Sequence, residues 1–358
     1  MARKISLTIL FFIFTLISFA QSGRIKPSET PTPTPRPRII YLPTEAISET
    51  PKPQATPTPT PKIDEDDGDI IRVDSALVPI PVSVIDSGGR AITNLKLEDF
   101  ELLIDGKAAE ISDLSRSETP VRLAMLFDNS SSVTQAREFE VKAAVKFFKR
   151  VIRPERDLAA LYSVSTGSRL EQPLTKNVAL LASAIENFPQ PEGATALLDA
   201  IIKAANYLRE SDGRRVIVIV SDGEDTYSDL DTTLEKVVLA VQLANCQVYV
   251  VKTTDFENFK RTGQRGGNAN ILKLTAERRM RELAAQTGGS VYSPIDEREL
   301  DAAFNQISAE LSQAYILNYY PAEADSKNRN EFRTIFLKVK GRENLTIKTR
   351  KGYYVPKK

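Results

Sequence analysis

The sequence predicts an α/β fold: a doubly wound, mainly parallel sheet, with a small flanking β-sandwich built from N- and C-terminal strands. Three observations predict it. Between residues 120 and 312, short continuous apolar runs alternate with stretches of helical periodicity, the pattern of strands buried on both faces and covered by helices. Over 313–358 apolar residues recur at every second position instead, and 70–119 opens on an apolar, β-branched run followed by a hairpin signal, both patterns of strands. A composition of 41% hydrophobic and 27% charged residues in 358 is that of a globular chain with room for more than one domain.

The N-terminal β segment, 70–119, begins with an apolar, β-branched run over Leu77–Ile85 and a turn at Asp86-Ser87-Gly88-Gly89. Phe100–Ile104 is a second strand, Asp105-Gly106 a hairpin dipeptide suited to positive φ, and Lys107–Leu114 the expected return strand. In the α/β domain, 120–312, Val121–Phe127, Leu158–Val164, Val216–Val220 and Val248–Val251 are the buried strands. The helix after the first places Val141, Val145, Phe148 and Ile152 on one stripe. Further helices are expected near Val178–Phe188, Leu197–Arg209, Leu234–Leu243, Ala276–Gln286 and Glu297–Ser312. The C-terminal segment, 313–358, offers Ala314–Tyr320 and two alternating runs, Ile335/Leu337/Val339 and Leu345/Ile347. Neither terminal set has enough strands for an independent sheet, so the two are expected to pair into one sandwich.

Residues ahead of these elements read as address and spacer. Arg3 and Lys4, the apolar stretch Ile5–Phe19 and the small residues of Ser18-Phe19-Ala20 form a signal peptide over 1–20. The chain is therefore expected to be exported, to the periplasm, cell envelope or medium, with membrane contact only if that segment stays uncleaved. The 21–69 linker holds 11 of the 21 prolines, mostly in Thr-Pro alternation that favours extended polyproline II. Its acidic end, Asp64-Glu65-Asp66-Asp67-Gly68-Asp69, lacks the ligand spacing of a calcium loop and reads as a solvated charge run.

Composition narrows the chemistry. With no His and a single Cys, Cys246, the chain cannot build a His-dependent nucleophile, a His- or multi-Cys metal site or an intrachain disulfide. A formal net charge of +1 gives no basic surplus for a nucleic-acid partner. Cys246 opens an apolar strand and reads as a small core residue. The Gly263–Gly267 stretch lacks the Lys-Ser/Thr of a phosphate loop and reads as a mobile surface insertion.

What remains is oxygen chemistry at three loops. Asp128-Asn129-Ser130-Ser131-Ser132 follows the first buried strand and sets a carboxylate and alternate hydroxyls at its carboxyl end. Hard divalent cations take such ligands, although Asp, Asn and Ser also cap helices. Thr195, in Gly193-Ala194-Thr195-Ala196-Leu197, precedes a helix and is either an N-cap or another hydroxyl ligand. Asp222 ends the run Val216–Ser221, where an ordinary strand-to-helix turn would also suit it. In a doubly wound sheet all three loops share one edge, so Asp128, Ser130, Ser132, Thr195 and Asp222 can converge.

These residues carry a resemblance. In order and spacing they are similar to the metal-ion-dependent adhesion site of the von Willebrand factor A domain family, over about Pro120–Ser312. The β additions at both ends resemble an exported bacterial subgroup. The resemblance implies a Rossmann-like fold, a magnesium ion with manganese or calcium as substitutes, and a coordination position left for water or for an Asp or Glu of a protein partner. Ala194 stands where Gly is common, and Glu224 and Asp225 place two more carboxylates after Asp222. The function so implied is adhesion or assembly rather than catalysis. A structural envelope protein without metal is the alternative, and a magnesium-dependent hydrolase a more distant one, since Asp128-Asn129-Ser130 lacks the second acid that phosphoryl chemistry wants.

Overall fold

The structure, a computed structural model, describes residues 77–88, 90–116, 119–265, 270–321 and 331–355. The expected signal peptide, linker and acidic run lie outside the described residues. Among those described, no helix is long and apolar enough to cross a membrane.

The described chain begins with β1 (Val78–Ile85), β2 (Phe100–Ile104), β3 (Lys107–Ala109) and β4 (Asp113–Arg116). There follow β5 (Val121–Asp128), α1 (Arg137–Val151), β6 (Leu158–Val164), β7 (Ser168–Thr175), α2 (Val178–Glu186) and α3 (Leu197–Arg209). Next come β8 (Arg214–Ser221), α4 (Leu234–Leu243), β9 (Cys246–Lys252), α5 (Thr254–Thr262), α6 (Ile271–Thr287), β10 (Val291–Tyr292) and α7 (Glu297–Gln313). The last strands are β11 (Tyr315–Tyr319), β12 (Phe332–Val339), β13 (Thr346–Thr349) and β14 (Gly352–Tyr354).

The central sheet runs β10-β9-β8-β5-β6-β7, parallel except for the antiparallel edge β7. β5 is buried along its whole length because helices cover both faces. Leu123, Met125 and Phe127 face a layer made by α1, α2 and α7, while Ala124 and Leu126 face α3, α4 and α6. That alternation is the pleat expressed in a strand that is apolar throughout. From β5 the chain turns first to β6 on one side and later to β8 on the other. The carboxyl ends of β5 and β8 therefore flank a topological switch point, where such sheets open a crevice.

Two further four-stranded sheets, β13-β1-β11-β4 and β14-β12-β2-β3, each combine strands from before and after the α/β unit. Their inner faces close on one core that includes Ile80, Leu102, Tyr315, Leu317 and Tyr353. The Tyr315 hydroxyl ties the sandwich to its own loop, accepting from Leu95 N and donating to Ile92 O, each at 2.9 Å.

Several local expectations are corrected. The return strand expected over Lys107–Leu114 is split: β3 pairs with β2, Ile111 enters the sandwich core, and β4 pairs with β11 in the other sheet. On α1, Phe148 is buried and Ile152 caps the helix in the core. Val141 and Val145 only border that core, and Ala143, Ala144, Phe147 and Val151 fill the buried face. The helix packs against α7 and α2 as well as the sheet, and the two alanines permit the close approach. Gly263 is the left-handed C-cap of α5 at φ 70°, and residues 266–269 lie outside the described residues. Cys246 is buried, and burial pushes its thiol up to about 12.

Candidate functional site

The site begins where β5 and β8 end side by side, with Phe127 paired to Val220. Asp128 is 1% exposed. Its Oδ1 accepts the Ser130 backbone N–H at 2.9 Å and its Oδ2 accepts the Ser221 hydroxyl at 2.5 Å. Ser221 Oγ in turn accepts Gly223 N–H at 3.0 Å, so one hydroxyl couples the carboxylate on β5 to the turn that carries Asp222. The Ser130 and Ser132 hydroxyls meet at 2.9 Å. Arg137 lies above Phe127 and Phe188 and donates to the Asp128 carbonyl at 3.2 Å, which steadies the strand end.

Asp222 is the second carboxylate, and its Oδ1 accepts Glu224 N–H at 2.9 Å. Burial first, and then the Asp222 charge, push the Asp128 carboxyl from 3.8 up to about 6, against the lowering effect of the Ser221 and Ser130 bonds. Such a rise is expected where two acids share a poorly solvated site without a full countercharge. Of the other carboxylates after Asp222, Asp225 turns away to accept Leu198 N–H and the Ser228 hydroxyl. Glu224 lines the cleft next to the site.

Thr195 arrives on the third loop and is 3% exposed. That loop is bound to the first through Gly193 O, which accepts both the backbone N–H of Ser131 at 3.2 Å and its hydroxyl at 2.7 Å. It is bound to the β8 loop through the Thr195 carbonyl, which accepts Thr226 and Tyr227 N–H. Hydrogen bonds thus join Asp128, Ser130, Ser132 and the Asp222 turn directly. Thr195 is linked to them through the backbone of its loop.

Helix capping does not account for these side chains. The residue capping α3 is Ala196, and the N–H groups of its first turn go to Asp225 and to the Ser228 hydroxyl. α1 is entered through Ala136, and Glu257 from α5 accepts the N–H groups of Gln135 and Ala136 at 3.0 and 2.9 Å. Other residues do the capping, and the hydroxyls of Ser130, Ser132 and Thr195 are not spent on it.

Ser221, Arg137 and Glu257 are functional neighbours that the sequence motif does not contain. Ser221 is signalled only by its place beside Asp222. Glu257 sits in a short polar segment with no stripe to mark it. Glu140 is a further surprise: it is 1% exposed on α1, and burial followed by the charges of Glu257 and Asp128 raises its carboxyl well above the usual range.

Residues 123–224, a span that includes all five candidate ligands, match the family model of the von Willebrand factor type A domain. The chain carries a von Willebrand factor type A domain. No curated protein matches the chain. Among solved structures it is similar to the PilB minor pilin from Streptococcus sanguinis, at 14% identity and a TM-score of 0.42, over 55% of this chain and 62% of the pilin. It thus spans less than two thirds of the pilin's length. BatB from Bacteroides thetaiotaomicron is 14% identical at a TM-score of 0.41, over 53% of this chain and 98% of BatB. The vWF domain of the type V pili tip protein Mfa5 from Porphyromonas gingivalis is 13% identical at a TM-score of 0.41, over 53% and 94%. At these scores the likenesses bear no functional weight, and the site geometry of the A domain has to supply it.

Among the described residues no group of three or more His, Cys, Asp or Glu could hold a metal. A divalent ion at this edge would therefore rely on hydroxyls beside two carboxylates. The donors fit a hard cation: all are oxygens, the two acids are close enough to raise Asp128, and Ser130, although it precedes the 3-10 turn Ser131–Val133, makes no capping bond with its hydroxyl, which meets that of Ser132 instead.

Proposed function

We propose that this chain is an exported, metal-dependent protein-binding module of the adhesion or assembly kind. Asp128, Ser130, Ser132, Thr195 and Asp222 would hold a magnesium ion, with manganese or calcium as substitutes. When bound, the ion would supply a Lewis-acidic centre whose exchangeable position takes an Asp or Glu carboxylate of a protein partner. The observation that carries this reading is the pairing of a buried, serine-clamped Asp128 with Asp222 beside two hydroxyls that cap nothing.

The remaining residues act by positioning. Ser221 and the Ser130 N–H fix both oxygens of Asp128, which leaves further lone pairs free to ligate. Arg137 and Glu257 anchor the ends of β5 and α1 around the loop. No second acid follows Asp128 on its loop, which supports binding over phosphoryl or hydrolytic chemistry. The basic-then-apolar Met1–Ala20 segment supports export. The near-neutral charge supports a protein partner rather than nucleic acid.

Capture of envelope proteins by the immobilised full chain tests this reading. Captured partners should be lost in chelator and return with magnesium. Capture that ignores chelator would instead favour a structural envelope protein.

A further inference from the structure

A cleft of about 390 Å³ opens directly beside the candidate ligands, lined among others by Ser132, Asp222, Glu224, Glu257, Arg261 and Lys273. It is formed by the loop after β5, the loop after β8, α5 and the first turn of α6, so anything reaching the metal edge from that side passes over it. Its acids are largely committed. Both Glu257 oxygens accept backbone N–H groups of Gln135 and Ala136, and Asp222 belongs to the ligand set. Glu224 is the carboxylate left over, and Lys273 is the charge that faces it.

Its donors are not committed to the same degree. The Lys273 amine makes no hydrogen bond or ion pair among the described residues. The Arg261 guanidinium, which carries five N–H donors, gives one of them to a neutral acceptor, Asn258 Oδ1, at 3.2 Å. Arg261 and Lys273 therefore face the Glu257 and Glu224 carboxylates across the cleft without donating a hydrogen bond to either, so N–H donors on both cations are left over among the described residues. An anion satisfies that surplus, and a second anion within one peptide would gain from the first being held at the metal.

We infer that Arg261 and Lys273 form a second recognition point, which takes a second carboxylate of the same partner segment whose first carboxylate lies at the metal. This deepens the proposed function and rests on it for the first carboxylate. The A domain would then distinguish partners by the spacing of two acids, and not accept any exposed Asp or Glu equally.

The test uses the full chain with manganese and a set of blocked glycine peptides. One peptide carries a single Asp, others carry two Asp separated by none to three glycines, and the controls replace the second Asp by Asn. At least one two-Asp peptide should bind about tenfold more tightly than its Asp/Asn control, the gain expected of a partly exposed charge-assisted contact. That gain should vanish in the Arg261→Gln/Lys273→Gln double variant, while manganese uptake and single-Asp binding stay at the wild-type level. A gain that survives in the double variant, or no gain for any spacing, overturns the inference. So does inorganic phosphate that binds the wild type, but not the double variant, more tightly than every peptide, since the cleft would then be a free-anion site. If the wild type takes up no manganese, the metal reading fails by itself. The second recognition point is then judged separately, by whether a two-Asp gain dependent on Arg261 and Lys273 remains in chelator.

Discussion

Asp128→Asn should make the metal-free protein more stable while abolishing its metal binding. The ionised carboxylate of Asp128 is buried against Asp222, and its value rises from 3.8 to about 6. At about 1.4 kcal/mol per pH unit, keeping it charged in the fold costs about 3 kcal/mol. Because the folded-state value lies above the unfolded one, the folded protein holds this proton more tightly. Its contribution to stability thus falls as pH rises from about 4 to about 6, and the whole cost is present at about pH 7. Asparagine removes the charge and keeps the shape. Its carbonyl can still accept Ser130 N–H, and its amide can donate to Ser221 Oγ, which has acceptor capacity beyond Gly223 N–H. Urea unfolding in chelator should show the variant more stable by about 2–3 kcal/mol at about pH 7, with the difference gone by about pH 4. In magnesium at about 1,000 times its dissociation constant the order should reverse, because the ion then adds about 4.1 kcal/mol to the wild type alone. A variant less stable than wild type in chelator at about pH 7 would mean that the Asp128 charge is not a net cost to the fold.

Three further outcomes follow from single contacts. Ser221→Ala removes the hydroxyl held between Asp128 and Gly223 and should weaken manganese binding about 10- to 100-fold, as loss of a ligand-orienting partner does; titration with the ion reads this directly. Gly289→Ala would set its Cβ 1.9 Å from the Val248 carbonyl oxygen, a clash with backbone, and should cost about 3 kcal/mol or more in denaturant unfolding. Cys246 is buried, with its thiol pushed up to about 12, so a thiol reagent at about pH 8 should leave the native chain unmodified and react promptly once urea unfolds it.

The central sheet was legible because a strand covered on both faces has to be apolar throughout. Leu123–Phe127, Val216–Val220 and Val248–Val251 meet that requirement without ambiguity. α3 and α4 fall at their expected bounds because their buried residues recur at helical spacing. Edge elements escape this logic. β7, with the sequence SRLEQPLT, is half-exposed, contains Pro173 and pairs with β6 through register shifts, so no clean alternation marks it. α5 buries Thr254, Phe256, Glu257 and Asn258 in a short polar segment, and nothing local shows that Glu257 reaches the start of α1, 121 residues earlier.

At the candidate site, the meeting of the loops after β5 and β8 was legible because two adjacent parallel strands end at the same sheet edge. Which hydroxyls cap helices was not, since Asp225, Ser228 and Glu257 take over that work from neighbouring loops. Likewise Ser221 becomes the clamp on Asp128 only because β5 and β8 are adjacent, although 93 residues separate the pair in sequence.

Whether Asp128 holds a metal ion is read by calorimetric titration of the full chain with manganese, beside its Asp128→Ala variant. The wild type should bind saturably and the variant not at all, with circular dichroism of the two proteins superimposable. Equal uptake by both would mean that Asp128 holds none.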